Sequence, residues 1–389
     1  MENPTLAEPE LILTRHAGFR NIEFIIPVRN RSYLPQLDVL RGIAVLLVFG
    51  CHAALHVAPS LFREWACKGW IGVDLFFVLS GFLITDILLN SKDSQNYFQA
   101  FYLRRALRIW PLYFGLLFLS FIILPAVNAT MREELRGAGP SWIYALFLQN
   151  LVPYARPVAL VVTWSLAVEE QFYLLWSLII FVLSVRQLRW VFLGLLLLAP
   201  VFRNLAFNHG AAPEFLYFNL FHYDALVGGS LVALFGLHRR STRVSLLLGA
   251  ATLTLGAIVA TVAGVPGRIE QIRNVFTYSG IALAATGLLL LALSVPWNGK
   301  IGWFEPLRFT GKISYCLYLV HYPLLSAAFL ARTRLGVTSA AGEALIVGIA
   351  LIASYIISIF SWVYVERPIL TLKRHCEYRR IPTLENAAA

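Results

Sequence analysis

Apolar runs of about twenty residues, separated by short polar or basic clusters, set the pattern of this chain. A hydrocarbon core about 30 Å thick takes about 20 helical residues to cross, and helices satisfy every backbone polar group internally. The pattern predicts ten spans, near 37–58, 70–90, 105–126, 164–184, 190–205, 217–236, 245–264, 276–295, 312–331 and 343–363. The segment 141–152 is apolar but short, and reads as an interfacial or re-entrant piece of the 127–163 loop. The expected fold class is all-α, a polytopic membrane protein with about ten transmembrane helices.

The loops orient these spans. Ten crossings gather Arg104, Arg105 and Arg108, Arg186 and Arg189, His238 to Arg243, and Lys300, Arg308 and Lys312 on one side. Both termini join them, with Arg367, Lys373 and Arg374. The opposite loops are mixed, Arg132 with Glu133 and Glu134, and Arg268 with Glu270. Cytoplasmic loops carry the excess of Lys and Arg, so the basic side is the cytoplasmic one. Counting 141–152 as a span would send Arg186 and Arg189 to the other face. The expected organisation is a cytoplasmic tail 1–33, a transmembrane domain 34–370 and a cytoplasmic tail 371–389, in the inner (cytoplasmic) membrane. The first 36 residues hold no apolar h-region, so no cleaved signal peptide is expected, and Arg15, Arg20, Arg29 and Arg31 stay inside. No internal repeat or low-complexity segment is present.

Composition agrees. Of 389 residues, 58% are hydrophobic and 14% charged, with mean hydropathy +0.69; no soluble domain of this size could hide that fraction. The net charge of +11 is spread over short clusters between spans, which is membrane orientation rather than nucleic-acid binding. Cys51, Cys67, Cys316 and Cys376 lack metal-ligand spacing and read as small packing residues.

Ionisable residues inside spans carry the chemistry, because each must be buried among helices or line a wet cavity. Arg41 and His52 share the first span, and eleven residues of helix separate their depths by about 16 Å. Asp74, the pair Glu169 and Glu170, and Asp224 fall in three other spans, each near its outer end by the same topology. The expectation is one pocket about a third of the way in from outside. A carboxylate there would fix the tautomer of His52 and restore its basicity, so that it takes a proton from an attacking hydroxyl. Glu169, Glu170 and Asp74 are all candidates for that carboxylate; the bland alternative is a structural ion pair. His56 lies one turn beyond His52, but no third ligand has metal spacing, and no metal is expected. Arg105 and Arg108 share a helix face, suited either to marking the inner boundary or to gripping phosphates, with Arg41 at comparable depth. His321 sits near mid-membrane with Pro323 after it, a pairing that suits cavity lining. Glu366 and Arg367 read as an interfacial salt bridge.

Seven segments in order, from about residue 34 to 370, resemble the acyltransferase-3 family of integral membrane O-acyltransferases. They are L-D-V-L-R-G-I-A-V-L-L-V, G-V-D-L-F-F-V-L-S-G-F-L-I, R-R-A-L-R-I-W-P-L-Y, W-S-L-A-V-E-E-Q-F-Y-L-L-W, Y-D-A-L-V-G-G, I-S-Y-C-L-Y-L-V-H-Y-P-L and V-E-R-P. The resemblance implies about ten spans, an acyl-CoA donor (acetyl by family frequency) reached from the cytoplasm, and a hydroxyl-bearing acceptor such as an extracytoplasmic glycan. It makes His52 the catalytic histidine and Arg41 its motif partner, and aligns Arg105 and Arg108 with an R-x-x-R element. Trp164, Asp224 and His321 are the expected acceptor contacts. Two departures bear on the acceptor: His222 stands where an arginine often precedes D-A-L, and Val320 and Tyr322 flank His321 where tryptophans are common. With no hydrolase-like domain in the sequence, the resemblance is to the stand-alone branch. Direct transfer and a route through acyl-His52 both remain open. The rival is a proton-coupled transporter, which predicts symmetric halves or interrupted helices in matching positions; the sequence displays neither.

Overall fold

The computed structural model describes residues 33–55, 61–127, 129–152, 157–210, 222–263, 270–295 and 302–379. The tail arginines at 15, 20, 29 and 31, together with His56, Arg268 and Lys300, lie outside the described residues. All regular structure among the described residues is helical, as the hydrophobic pattern requires.

Nine stretches among the described residues are long and apolar enough to cross a membrane. They are built on α1 (Pro35–Ala54), α3 (Ile71–Ser91), α4 (Tyr97–Phe118), α7 (Trp164–Val182), α8 (Val185–Asn208), α10 (Thr242–Ala263), α11 (Glu270–Ser294), α13 (Ser314–Leu335) and α14 (Ala340–Ser361). The tenth expected span, 217–236, is represented by α9 (Asp224–Leu234) alone. Its 11 residues rise only about 16 Å, and residues 211–221 lie outside the description. Short helices fill the connections: α2 (Leu61–Ala66), α5 (Ala129–Arg136), α6 (Ser141–Ala145) and α12 (Glu305–Lys312). Residues 141–152 form α6 and turns rather than a crossing.

Local chemistry sets several boundaries. Ser184 caps α8 in a reciprocal capping box with Gln187, and Ser339 caps α14 through the Gly342 N–H, each meeting otherwise orphaned donors. Gly336 ends α13 at φ 63°, a left-handed conformation that costs glycine little.

Close helix approach then places the functional residues. A Cβ on Gly81 would stand 1.9 Å from the Leu226 carbonyl oxygen, and one on Gly229 the same distance from that of Val78. The two bare backbones therefore lock α3 against α9. Gly311 of α12 meets the Asp38 carbonyl in the same way, holding α12 against the start of α1.

The described chain enters and leaves at one end, called here the basic end. The Tyr33 hydroxyl donates to Asp38 Oδ2; burial, with that carboxylate behind it, pushes the phenol up to about 12. The C-terminal segment is tied down nearby. Gln95 N donates to Arg379 O at 2.9 Å, Arg379 N to Asn96 Oδ1 at 2.8 Å, and Arg104 to the Lys373 carbonyl at 3.3 Å.

Candidate functional site

His52, near the C-terminal end of α1, meets His321 of α13: Nδ1 and Nε2 are 2.9 Å apart. The other nitrogen of His321, Nδ1, lies 2.7 Å from the Tyr318 carbonyl oxygen. A carbonyl only accepts, so that nitrogen carries the proton. A neutral His321 then accepts at Nε2 from His52 Nδ1–H, and the lone pair of His52 falls on Nε2. Two imidazoles in series thus hold His52 in the tautomer of a base. His321 is fully buried, and Tyr322 packs edge-on against the His52 ring at 4.8 Å.

At the basic end, Arg41, Arg105 and Arg108 line one hollow that continues into another. The wide mouth, about 710 Å³, is lined by these arginines with Tyr33, Asp38, Lys312, Glu366 and Arg367. The inner part, about 100 Å³, keeps the same three arginines and runs past Ser80, Glu169 and Tyr173 to Phe76, Ser165 and Tyr318. Arg41 pairs with Asp38 at 2.9 Å, and Arg105 presents a buried Nε with no hydrogen-bond partner. Five cations against two acids at the mouth suit phosphate oxygens, which guanidinium groups bind in bidentate fashion. Farther in, Glu169 accepts from the Ser80 hydroxyl at 2.7 Å and the Tyr173 hydroxyl at 3.1 Å. At the apical end the hydroxyls of Ser165 and Tyr318 are 2.7 Å apart.

The expected meeting of His52 with the acids at one level does not describe this packing. Asp74 Oδ1 lies 2.6 Å from His222 Nε2, both side chains fully buried. Asp224 Oδ2 pairs with Arg203 at 2.9 Å and accepts from Ser279 at 2.8 Å. Glu169 belongs to the arginine hollow, and Glu170 leaves Oε1 buried with no hydrogen-bond partner. The reason lies between α1 and α3. The α2 helix and the 3-10 turn Cys67–Trp70 pack against the C-terminal end of α1, so Gly69 reaches Leu47 and Cys51, and Gly72 reaches Ala44. Asp74 therefore lies about 12 Å nearer the basic end than His52, and Glu169, level with Ser80, about 9 Å nearer still. Equal distance from a span's sequence boundary is not equal depth. Trp164 stands behind Phe77, ring centroids 6.1 Å apart in an edge contact.

Sequence reasoning missed Arg203, which supplies the guanidinium beside Asp224. An arginine near the C-terminal end of the apolar helix α8 (Val185–Asn208) is the signal that could have found it, since such a charge demands an acid. It also passed over the buried amides after α6. Gln149 donates to the Thr163 carbonyl at 3.0 Å and the Tyr113 hydroxyl at 3.1 Å, while Asn150 and Gln171 bond each other. Gln171 also donates to the Phe147 carbonyl at 2.8 Å, so these amides meet backbone acceptors as well as one another. Among the described residues no group of three His, Cys, Asp or Glu is arranged to hold a metal. The Cys51 thiol donates to the Cys67 carbonyl at 3.0 Å, and all four cysteines are free.

Comparison with known proteins adds the following. The model of the acyltransferase-3 family, described as an acyltransferase domain, matches residues 34–363. The peptidoglycan O-acetyltransferase OatA of Listeria monocytogenes is 32% identical over 367 residues, 87% of this chain and 56% of that protein. The putative peptidoglycan O-acetyltransferase YrhL of Bacillus subtilis is 28% identical over 324 residues, 76% of this chain and 49% of its own. The O-acetyltransferase OatA of Staphylococcus aureus is 28% identical over 323 residues, 75% and 51% of the two chains. The chain thus spans about half the length of the curated relatives it matches. No solved structure matches it.

Proposed function

This chain belongs to the acyltransferase-3 family, and on that premise we propose that it transfers an acyl group, acetyl by preference, from acyl-CoA to a hydroxyl of a glycan on the far side of the membrane. Peptidoglycan is the leading acceptor, because two of the relatives are named for it. One observation carries the reading. A single hollow runs from Arg105 and Arg108 to Tyr318, and the carbonyl of Tyr318 orients the histidine that orients His52.

The donor's phosphates sit among Arg41, Arg105, Arg108 and Lys312 at the basic, cytoplasmic end. Its pantetheine arm passes Ser80, Glu169 and Tyr173, where hydroxyl and carboxylate groups meet its amides. The thioester arrives at Tyr318, one turn of α13 from His321. His52 Nε2 accepts the proton of the acceptor hydroxyl as that oxygen bonds to the thioester carbon. The C–S bond then breaks, and the departing thiolate takes the proton back from His52. His321 acts through His52, and Glu169 through the donor arm; both are positioning residues. The buried Asp74–His222 and Asp224–Arg203 pairs hold α3, α8 and α9 together, and Trp164 backs the aromatic wall.

The test is incorporation of labelled acetyl from acetyl-CoA into surface glycan by membranes containing the chain, read by mass spectrometry. His52→Ala is expected to abolish incorporation, and Glu169→Gln to reduce it. Near-normal rates in both variants would end this assignment.

A further inference from the structure

Along the hollow the lining changes character. Guanidinium groups give way to Ser80, Glu169 and Tyr173, and then to Val73, Phe76, Phe77, Leu166 and Tyr318. Nothing in that last ring offers a charge, so the apical end suits hydrocarbon. It is also closed. The rings of Phe76 and Tyr318 meet edge to face with centroids 5.9 Å apart, and Phe77 abuts Trp164 in the same way at 6.1 Å.

The Tyr318 ring is anchored where it stands. Its hydroxyl lies 2.7 Å from Ser165 Oγ and donates to the Val162 carbonyl at 3.2 Å, while its own carbonyl is engaged by His321. Swinging the ring aside would break two hydrogen bonds in a water-poor interior, where lost bonds are costly. Phe77 is fully buried and Val73 nearly so, so both are packed against protein on the side away from the hollow. Interiors packed this densely do not accommodate added methylenes without strain.

We infer that Phe76 and Tyr318, backed by Phe77 and Trp164, form an acyl-length gauge that limits the donor to short acyl groups. The inference rests on the hollow being the donor site, and it assigns the choice of acyl group to four residues that carry none of the proton transfer. The carbons beyond the thioester carbonyl have to lie among these rings whichever way the carbonyl turns toward the histidines. A two-carbon group fits beneath the Phe76–Tyr318 contact, whereas each further methylene meets an aromatic edge.

The experiment measures binding of CoA and of its non-reactive S-ethyl, S-butyl and S-hexyl thioethers to the purified full chain in detergent, for the wild type, Phe76→Ala and Tyr318→Phe. The wild type is expected to bind the S-ethyl compound and to lose at least tenfold in affinity at S-hexyl. Phe76→Ala removes the ring edge and is expected to recover at least tenfold on S-hexyl, with CoA itself bound as before. Tyr318→Phe keeps the ring but loses both hydroxyl contacts, and is expected to relax the preference partly. Equal affinity for all chain lengths in the wild type, or an unchanged length profile in a Phe76→Ala protein that still binds CoA, would overturn the gauge. Failure of the wild type to bind CoA at all would instead overturn the donor-site reading beneath it.

Discussion

The Tyr318 carbonyl oxygen lies 2.7 Å from His321 Nδ1, and this contact decides which nitrogen of His52 carries the lone pair. It fixes the proton of His321 on Nδ1, which makes Nε2 the acceptor for His52 Nδ1–H at 2.9 Å. The same residue lines the arginine hollow. A helical residue sends its carbonyl toward the C-terminus and tilts its side chain toward the N-terminus, so Tyr318 faces both compartments at once.

Replacing His321 therefore acts on rate more than on binding. His321→Phe keeps bulk but removes the acceptor for His52 Nδ1–H, and kcat for acetyl transfer should fall about 100-fold or more. KM for acetyl-CoA should stay within about twofold, since His321 does not line the hollow. Initial rates across a donor titration separate the two effects. A rise in KM with kcat intact would assign His321 to donor binding instead.

Arg105 and Arg108 predict the opposite split. A hydrogen bond to a charged group contributes about 1.5–3 kcal/mol, so Arg105→Gln or Arg108→Gln should weaken CoA binding by about ten- to a hundredfold. The loss should shrink at high salt, and kcat at saturating donor should change little. Isothermal titration at two ionic strengths reads this directly; salt-independent loss would argue against phosphate contacts.

Arg203 is a matter of stability. Removing one partner of a buried ion pair leaves the other charge uncompensated, at a cost of about 3–5 kcal/mol. Arg203→Ala should markedly lower the thermal midpoint of the detergent-solubilised chain. Adding Asp224→Asn should recover part of it, because residues in direct contact are not additive. Additive losses would mean that the pair at 2.9 Å contributes no coupling.

The glycine contact between α3 and α9 makes a paired prediction. Gly81→Ala drives a methyl into the Leu226 carbonyl and should destabilise by roughly 1–3 kcal/mol, the usual scale of overpacking. Gly50→Ala meets nothing within 4 Å and should be neutral or slightly stabilising, since alanine favours helix. Midpoints of the two variants, measured side by side, discriminate local clash from general sensitivity of α1 and α3.

Much of this was readable along the chain. Apolar run length identified the helices because a bilayer demands about twenty residues per crossing. Arg41, Arg105 and Arg108 were legible as a cluster because they lie at the same end of neighbouring spans. The Glu169 partners were not. Ser80 and Tyr173 look like ordinary residues of an apolar helix, and their hydroxyls acquire meaning only once α3 and α7 are in register. The depth argument failed for Asp74 because it assumed that every span starts at the membrane surface, whereas α3 starts below the Cys67–Trp70 turn.

The sequence by itself determined the composition of each helix, the end at which cations gather and the presence of histidines and acids within apolar runs. Those properties follow from hydrophobic burial and helical rise, which act on neighbours in the chain. Only the tertiary structure decided that His52 meets His321, that Asp74 meets His222 and that Asp224 meets Arg203. Side-chain pairing depends on the rotation and axial offset of whole helices, which close glycine contacts such as Gly81 with Leu226 help to set and which no local pattern encodes.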